Sequence, residues 1–311
     1  MSLPRYWPML ATSWPGPFSD PGWWFEPKWD GIRGVMAWDG SIVSIHTRTG
    51  AEVAARYPEL RPSSALPPCV LDGEVVVLHA GRASFERLQQ RSALTPSGLR
   101  DHPVSFVAFD VLHLDGRPLI DLPLEQRQRR LAHLDLGSRF ERVTPTEDGA
   151  ALWEIVVARD LEGMVAKRSG SPYRPGARSA DWRKVAHLHT VKAVVGGFTA
   201  GEGGRAGTFG ALVLGLWQGD RLRWIGNVGT GFSDRDLAAI HTALQEMGSA
   251  ASPFHPDPEL PKLVPVEPLL VAAVAYRNWT NAGRFRQPRF KGFADDASET
   301  LTWEQEGAPG G

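Results

Sequence analysis

Short apolar or alternating runs, each ended by Gly, Pro or Asp, recur along this chain and restrict it to strand-rich folds. In the first 188 residues these runs predict strands at Gly34–Trp38, Ser41–His46, Val70–Leu78, Val104–Leu112 and Gly163–Lys167. Apolar residues at helical spacing predict helices at Leu124–Leu134 and Gly149–Asp160. The Asp115-Gly116 pair predicts a turn after the fourth strand, and the Pro-, Gly- and Arg-rich stretch Tyr173–Ala180 predicts a loop.

After about residue 188 the pattern changes to three strand-like runs separated by turns, VKAVVGGFTA, FGALVLGLWQ and RLRWIGNVGTGF. A helix is predicted at Ser233–Met247, because Ser233 and Asp236 have the spacing of a capping box, and a further strand at Leu270–Trp279. Strands with one helix among them are typical of a small OB-fold barrel. The glycine-rich GEGGRAG at 201–207 lies between two predicted strands and opens no helix, so it predicts a hairpin loop and not a phosphate cradle. Residues 297–311 are small, acidic and unpatterned, and we expect a disordered tail.

Composition bounds the class of protein. The 311 residues suffice for two domains. The formal net charge of −1 argues against a protein that coats nucleic acid through overall charge, so any nucleic-acid surface must be a local arrangement. The single cysteine, Cys69, excludes an internal disulfide and a cysteine-built zinc site. Since the chain also has no apolar run near the roughly 20 residues of a membrane span and no secretion signal, we expect a cytoplasmic protein.

Lysine is scarce in the first part of the chain. Residues 1–188 hold 20 Arg and only three Lys, which are Lys28, Lys167 and Lys184. Arginine stays protonated under ordinary conditions, whereas a lysine amine can lose its proton and attack an electrophile. This bias predicts that lysine is kept where chemistry requires it.

Each of the three lysines stands in a short motif. Lys28 opens Lys-x-Asp-Gly-x-Arg, Lys167 closes Glu162-Gly-Met-Val-Ala-Lys, and Lys184 follows Trp182-Arg183. Between them, in order, lie the motifs His46-Thr-Arg48-Thr-Gly50, Leu71-Asp72-Gly73-Glu74 and Phe106-Val-Ala-Phe109-Asp110. Their occurrence together in one order is far more specific than any one of them alone.

With these motifs the chain resembles the ATP-dependent DNA ligases of the covalent nucleotidyltransferase superfamily, in particular the compact bacterial ligases and the ligase domain of bacterial end-joining enzymes. The resemblance covers roughly residues 5–296. It implies an α+β fold, with an N-terminal nucleotidyltransferase (adenylation) domain of antiparallel sheets and helices at 1–188 and a C-terminal OB-fold β-barrel at 189–311. It also implies three in-line displacements at phosphorus. AMP passes from ATP to a lysine, then to the 5′-phosphate of a nick, and leaves when the 3′-hydroxyl attacks.

The resemblance further implies a catalytic set of Lys28, Arg33, Lys167 and Lys184. Lys28 is the nucleophile, and neighbouring cations (a bound metal, Lys184 or Lys167) favour its neutral form. Lys167 and Lys184 neutralise the α-phosphate. Arg33 and Arg48 hold AMP or the DNA 5′-phosphate, as guanidinium forks suit phosphate oxygens.

The remaining motif residues complete the implied site. Glu26 contacts the adenine edge, and Phe109 stacks on the base. Glu74 and Glu162 bind the ribose or a divalent cation, Mg²⁺ or Mn²⁺. The implied cofactors are therefore ATP and one of these ions.

The chain departs from the family pattern at three places. Many relatives have a second lysine where this chain has Ala186, and a phosphate contact is either lost there or supplied by Arg183. Relatives also carry basic residues that orient pyrophosphate where Ala294 and Ala297 stand here. The basic residues close by are Arg286, Arg289 and Lys291, which are candidates to replace them and to bind DNA.

Other interpretations remain open at this point. A capping-type guanylyltransferase would use GTP, an RNA ligase would seal RNA, and a decayed relative would bind DNA without forming covalent AMP. The expected partner is nicked double-stranded DNA, and Ku-like and repair polymerase proteins are possible partners. We expect a monomer associated with the nucleoid.

Overall fold

The chain divides into two units, 1–187 and 188–311, in the computed structural model, which describes residues 3–91 and 98–307. The strands of the first unit are β1 Leu10–Ser13, β2 Trp23–Pro27, β3 Ile32–Trp38, β4 Val43–Thr47, β5 Cys69–His79, β6 Arg82–Ala83, β7 Val104–Leu114, β8 Arg117–Pro118, β9 Phe140–Arg142, β10 Gly163–Arg168 and β11 Arg178–Ala186. Its α-helices are α1 Phe85–Gln90, α2 Leu124–Ala132 and α3 Gly149–Ala158. Short 3-10 helices lie at Ala54–Arg56 and Gly98–Asp101.

Two sheets form the first unit. The larger has the strand order β4-β3-β5-β7-β8, with β6 beside β5 and β9 beside β7, and the smaller has the order β1-β11-β10-β2. One apolar cluster joins strands of both sheets, with Val35, Val76 and Phe109 from the larger and Met9 and Trp182 from the smaller sheet or the segment leading into it. The facing sides of the two sheets therefore enclose a common core.

The helices cover the outer sides of these sheets. Leu88 of α1 and Leu131 of α2 pack in a second cluster with residues of the larger sheet. Val156 of α3 packs with Phe25 and Met164 of the smaller sheet. The helices thus cover the outer apolar sides of both sheets. Polar side chains can then lie between the two sheets only near the ends of the strands, beyond the apolar core.

The second unit is a strand-rich barrel with one long helix. Its elements are β12 His189–Ala200, β13 Phe209–Gln218, β14 Arg221–Val228, α4 Asp234–Glu246, β15 Leu263–Pro265, β16 Val271–Tyr276, β17 Asn278–Trp279, β18 Phe285–Arg286, β19 Arg289–Ala294 and α5 Trp303–Glu306. Short 3-10 helices lie at Gly203–Arg205 and Ser298–Thr300. The main sheet has the order β14-β13-β12-β16-β19, with β15 beside β12, while β17 and β18 form a separate pair. Leu237, Ile240 and Leu244 of α4 pack into its core.

Most predicted elements are confirmed. The five strands predicted in the first unit match β3, β4, β5, β7 and β10, and the two predicted helices match α2 and α3, with ends that differ by a few residues. Asp115 and Gly116 form the predicted turn with φ values of 45° and 77°. Ser233 caps α4 through the predicted capping box, and the 201–207 stretch joins the antiparallel strands β12 and β13. The α+β class with an OB-fold barrel is confirmed.

Two predictions are wrong. The disordered tail expected from residue 297 instead contains a 3-10 helix and α5, because Leu301 and Trp303 are buried in the barrel core. Residues 308–311 of that tail lie outside the described residues. The loop predicted at Tyr173–Ala180 ends early, since β11 begins at Arg178, and Arg178 and Ser179 pair with Leu10 and Ala11 of β1. This pairing gives backbone partners to a stretch too polar to look like a strand.

Candidate active site

A cavity of about 220 Å³ opens in the first unit between strands of the two sheets. It gathers eight of the predicted site residues: Glu26, Lys28, Arg33, Arg48, Glu74, Phe109, Lys167 and Lys184. Glu162 lies beside it, because its carboxylate contacts the Lys28 amine. Of the five predicted DNA-binding residues, Arg33 and Arg48 line this cavity, while Arg286, Arg289 and Lys291 belong to the second unit and do not.

Strand register explains why residues so distant in sequence share one face. Val165 of β10 lies opposite Glu26 of β2 on one side and Lys184 of β11 on the other. Two residues further along β10, Lys167 lies opposite Trp182. Because alternate residues of a strand point to the same side, all five of these side chains face the cavity.

Arg183, which lies between two cavity residues, points to the other side of β11. Its guanidinium lies 3.8 Å from the centre of the Trp14 ring and 4.3 Å from that of Trp23. It is therefore held between two aromatic rings away from the cavity. Of the two alternatives for the position of Ala186, this placement favours loss of the phosphate contact over its supply by Arg183.

Lys28 follows β2 directly, and its backbone N–H donates to the Gly163 carbonyl at 2.9 Å. This backbone hydrogen bond brings the side chain to Glu162, to which the Lys28 Nζ donates a hydrogen bond.

The glycine of the Lys-x-Asp-Gly motif, Gly31, is required for steric reasons. A Cβ on Gly31 would lie 2.3 Å from the Val75 carbonyl oxygen and 2.8 Å from Cγ of Glu74, so any other residue would displace the Glu74 strand.

Glu74 lies in β5, directly opposite Arg33 of β3. Burial raises the pKa of the Glu74 carboxyl to about 8, which Arg33 and Lys28 oppose and Glu162 increases. Glu74 lines the cavity and Glu162 lies beside it on Lys28, and a divalent cation bound by both would offset their negative charges. Glu74 and Glu162 thus fit the predicted metal pair.

Lys184 has a different environment from Lys28. Burial lowers the pKa of the Lys184 ammonium, and the nearby charges of Lys28, Arg178 and Arg48 lower it further, while Glu162 opposes the change. Several cations thus share one space, which favours binding of an anion such as a phosphate.

Arg178 is a cavity residue that the sequence analysis missed. It lines the cavity, and its exposed side chain donates from Nη1 to the Ala11 carbonyl at 2.6 Å. It lies in the stretch predicted to be a loop. The signal that could have found it is its even spacing from Trp182 and Lys184, which places the three on one side of a strand. With Arg48 and Lys184 it makes a third cation at the open end.

Lys167 lies at the closed end of the cavity. Its side chain is 1% exposed, and its Nζ lies 2.7 Å from Oε2 of Glu26 and donates to the Phe109 carbonyl at 3.0 Å. The same nitrogen lies 4.6 Å from the ring centre of Phe109 and 4.5 Å from that of Trp182. Burial raises the pKa of Glu26, and Lys167 opposes this rise. The amine is thus committed to Glu26, which leaves the prediction that it meets the α-phosphate without support in this geometry.

The second carboxylate oxygen of Glu26 is a candidate ligand contact. Glu26 Oε1 is buried and has no hydrogen-bond partner among the described residues. A buried acceptor without a partner is costly, and a donor from a bound molecule would satisfy it.

Arg33 is fixed by residues to which the sequence assigned no role. Its Nε and Nη2 donate to the two oxygens of the buried Asp72, at 2.7 and 2.6 Å, and the Tyr173 hydroxyl donates to Asp72 Oδ2 at 2.6 Å. The Arg33 guanidinium carbon lies 4.4 Å from the ring centre of Phe109. Asp72 stands in a motif recognised from the sequence, but only the fold brings Tyr173 to it.

Comparison with known proteins decides the family. The model of the ATP dependent DNA ligase domain matches residues 8–186, and that of the ATP dependent DNA ligase C terminal region matches residues 205–297. The chain belongs to the ATP-dependent DNA ligase family. The family predicted from the motifs is thereby confirmed.

Individual ligases agree with this assignment. DNA ligase C1 of Mycolicibacterium smegmatis is 31% identical over 292 residues, which are 86% of this chain and 82% of that protein. The multifunctional non-homologous end joining protein LigD of the same organism is 37% identical over 309 residues, which are 96% of this chain and 39% of that protein. A solved structure of mycobacterial DNA ligase D complexed with ATP and MES is 36% identical with a TM-score of 0.55, and the match covers 96% of this chain and 98% of that one.

The end-joining relatives are much longer than this ligase chain. The LigD protein of Mycobacterium bovis is 39% identical over 285 residues, which cover 88% of this chain but 36% of that protein. Among the described residues, no helix combines the length and the apolar character that crossing a bilayer requires.

Proposed function

We propose that this chain seals 5′-phosphate/3′-hydroxyl nicks in DNA with ATP, through a lysyl-AMP on Lys28 and a DNA-adenylate. The observation that carries the proposal is the convergence in one cavity of the Lys28 amine, the Glu26 acceptor and the three cations Arg48, Arg178 and Lys184. These are an attacking group, a base-recognition group and a phosphate-binding group.

The closed end of the cavity suits adenine. Phe109 offers an aromatic face for the base, and the buried Oε1 of Glu26 accepts a hydrogen bond from the exocyclic amino group. Guanine has a carbonyl oxygen at the corresponding position, which would face the carboxylate oxygen as a second acceptor. The site therefore selects ATP over GTP, and Lys167 acts here by holding Glu26.

The first reaction takes place at the Lys28 nitrogen. The neutral nitrogen forms a bond to the α-phosphorus, the bond from that phosphorus to the pyrophosphate oxygen breaks, and the amine proton passes to the Glu162 carboxylate that contacts it. The hydrogen bond to Glu162 uses an N–H of Lys28, so the lone pair of the neutral nitrogen remains available to the α-phosphorus. When bound by Glu74 and Glu162, Mg²⁺ or Mn²⁺ would supply positive charge to the phosphates.

The open end of the cavity suits phosphate. Arg48 and Arg178 line it with Lys184, whose pKa is lowered by burial and by their charges. They would hold the α-phosphate of ATP in the first step and the 5′-phosphate of the nick in the later ones. We assign Arg33 to the floor of the cavity instead, since two of its nitrogens are bound to Asp72.

The second unit would hold the DNA duplex. Arg289 and Lys291 are exposed on β19 on either side of the buried Phe290. Arg286 is half-buried on β18. Contacts of this kind to phosphates position a duplex without reading its sequence.

The names of two relatives support a biological setting. Two proteins that match most of this chain carry non-homologous end joining in their names. On this support we propose that the chain acts in end joining, and the further parts of the proposal are that it is a monomer at the nucleoid and works with Ku-like and repair polymerase proteins.

Sealing of a singly nicked duplex tests the proposal. The wild-type chain is incubated with Mg²⁺ and either ATP, GTP or NAD, and both sealing and the mass of the intact protein are measured. We expect sealing and one AMP adduct with ATP alone, and weaker sealing of nicked RNA. An adduct with GTP alone, or DNA binding without any adduct, would overturn it.

A further inference from the structure

The N-terminal segment Arg5–Ala11 contacts two of the three cavity arginines directly and contacts the loop that carries the third, Arg48. The Met9 carbonyl accepts from Arg33 Nη2 at 3.3 Å, and the Ala11 carbonyl accepts from Arg178 Nη1 at 2.6 Å. Arg5 Nη2 donates to the carbonyl of Gly50, two residues after Arg48, at 2.9 Å. One extended segment thus touches the floor of the cavity at Arg33 and two parts of its phosphate-binding end.

Trp7 lies at the centre of this segment and touches the loops on both sides. A Cβ on Gly50 would lie 2.7 Å from Cη2 of Trp7, so the far edge of the indole lies against the Gly50 backbone. On the other side, the Gly176 N–H donates to the Trp7 carbonyl at 3.1 Å, and a Cβ on Gly176 would lie 3.5 Å from Cβ of Trp7. The first loop carries Arg48, and the second leads directly into Arg178.

Both contacts lie at glycines with left-handed backbone. Gly50 and Gly176 have φ values of 86° and 73°, which residues with a Cβ rarely adopt. At Gly50 the absence of a Cβ also lets the indole approach the backbone closely, whereas at Gly176 a Cβ would make only an ordinary contact with Trp7. The close fit of the indole therefore depends on glycine at position 50.

We propose that Trp7 is a positioning residue that braces the Arg48 loop and the Arg178 loop against each other. This inference rests on the proposed function, in which Arg48 and Arg178 bind the 5′-phosphate of the nick. Both arginines reach solvent, and such an arginine loses side-chain and loop freedom when it binds a phosphate. A side chain that holds both loops in place before DNA binds reduces this loss of conformational entropy.

The exposure of Trp7 agrees with this role. Its side chain is 47% exposed although it is among the largest apolar groups of the chain. Trp14 is comparably exposed, at 39%, but its ring lies against Arg183 on the side of β11 that faces away from the cavity. Trp14 is therefore a matched control for the loss of an exposed indole.

The test compares nicks that carry a 5′-phosphate with nicks that carry a 5′-hydroxyl. Trp7→Ala, Trp14→Ala and wild-type protein are first converted to the AMP adduct, and the affinity of each for the two nicks is measured. We expect Trp7→Ala to reduce the preference for the 5′-phosphate by roughly tenfold, the scale of one lost charge-assisted contact, and Trp14→Ala to retain it. An unchanged preference in Trp7→Ala would overturn the inference.

A double-mutant comparison separates bracing from direct DNA contact. When Arg48→Ala and Arg178→Ala are already present, adding Trp7→Ala should cause no further loss of 5′-phosphate preference. An equal loss of affinity for both nicks would instead indicate that Trp7 touches DNA, and would overturn the bracing role. Should Trp7→Ala fold poorly, Arg5→Met, which removes the Gly50 hydrogen bond, takes its place. Failure of the wild-type protein to form the AMP adduct would count against the proposed function. The measured preferences for 5′-phosphate over 5′-hydroxyl nicks test only the role of Trp7.

Discussion

The amine of Lys28 donates a hydrogen bond to the carboxylate of Glu162, a residue 134 positions further along the chain. The nucleophile of the proposed reaction is thus held by one of the two carboxylates assigned to the metal. The same carboxylate is placed to accept the proton that the amine loses when it attacks the α-phosphorus.

Replacement of Lys28 by arginine tests the requirement for an amine that can become neutral. The guanidinium keeps the positive charge near Glu162 but does not lose its proton under working conditions. We expect Lys28→Arg to form no AMP adduct on intact-mass analysis with ATP and Mg²⁺. The variant should still seal part of a preadenylated nick, since that step does not use the amine as nucleophile. An adduct at wild-type level in Lys28→Arg would show that another residue accepts AMP.

Glu74 predicts a specific dependence of stability on pH. Its pKa is about 8 in the folded protein and 4.5 by ordinary reference, so between these values the folded state keeps a proton that the unfolded state has lost. The stability from this group is present below about pH 4.5 and is lost as pH rises through 8, at up to about 1.4 kcal/mol per pH unit.

Urea unfolding of the wild type and Glu74→Gln, without nucleotide or metal, measures this effect. Because the amide of the variant cannot ionise, the free energy of unfolding of the wild type should fall relative to the variant between about pH 6 and 8. Added Mg²⁺ should stabilise the wild type more than the variant, and most strongly above about pH 8, where Glu74 is ionised. A difference between the two proteins that does not change with pH would contradict the assignment.

The buried Lys167–Glu26 pair predicts linked losses of stability and of base selectivity. Lys167→Met leaves a buried carboxylate without its cation, which costs about 3 to 5 kcal/mol in comparable buried pairs. The double variant Lys167→Met/Glu26→Gln removes both charges and should recover part of this loss.

Base selectivity is measured as the ratio of AMP to GMP adduct in competition between ATP and GTP. We expect this ratio to fall in the double variant, because the amide also offers a donor to the guanine carbonyl. Lys262→Met is the control, since Lys262 and its partner Glu202 are 61% and 75% exposed and such pairs contribute about 0 to 1 kcal/mol. A ratio unchanged from wild type would remove Glu26 from base recognition.

The sequence predicted the parts of the site that lie within single motifs. Lys28, Glu74 and Phe109 could be found because each stands at a fixed offset in a short pattern, and the structure brings them into one cavity. The strands that carry Glu74 and Phe109 were also predicted, because their apolar runs are long. The structure shows why these runs are apolar, since both strands are buried on both faces.

What the sequence missed depends on contacts between distant residues. Tyr173 reaches Asp72 across 101 positions, and Arg178 enters the cavity only because β11 pairs with β1. The commitment of Lys167 to Glu26 is likewise set by the register of β10 and β2. No local pattern carries such information, because register and pairing are fixed by the fold as a whole.

The basic residues of β19 predict a salt-dependent contribution to DNA binding. Arg289 and Lys291 are exposed on this strand, whereas Phe290 between them is buried in the barrel, so substitution of the two cations should leave the fold intact. Each contact to a phosphate contributes about 0.9 to the slope of log affinity against log salt concentration. The double variant Arg289→Gln/Lys291→Gln should therefore bind nicked duplex more weakly at low salt, with a slope reduced by about 1.8. Arg221→Gln/Arg235→Gln removes two other exposed charges of the same unit and should change the slope little. Equal slopes in wild type and the β19 variant, measured by fluorescence anisotropy over a salt series, would exclude this strand from the DNA contact.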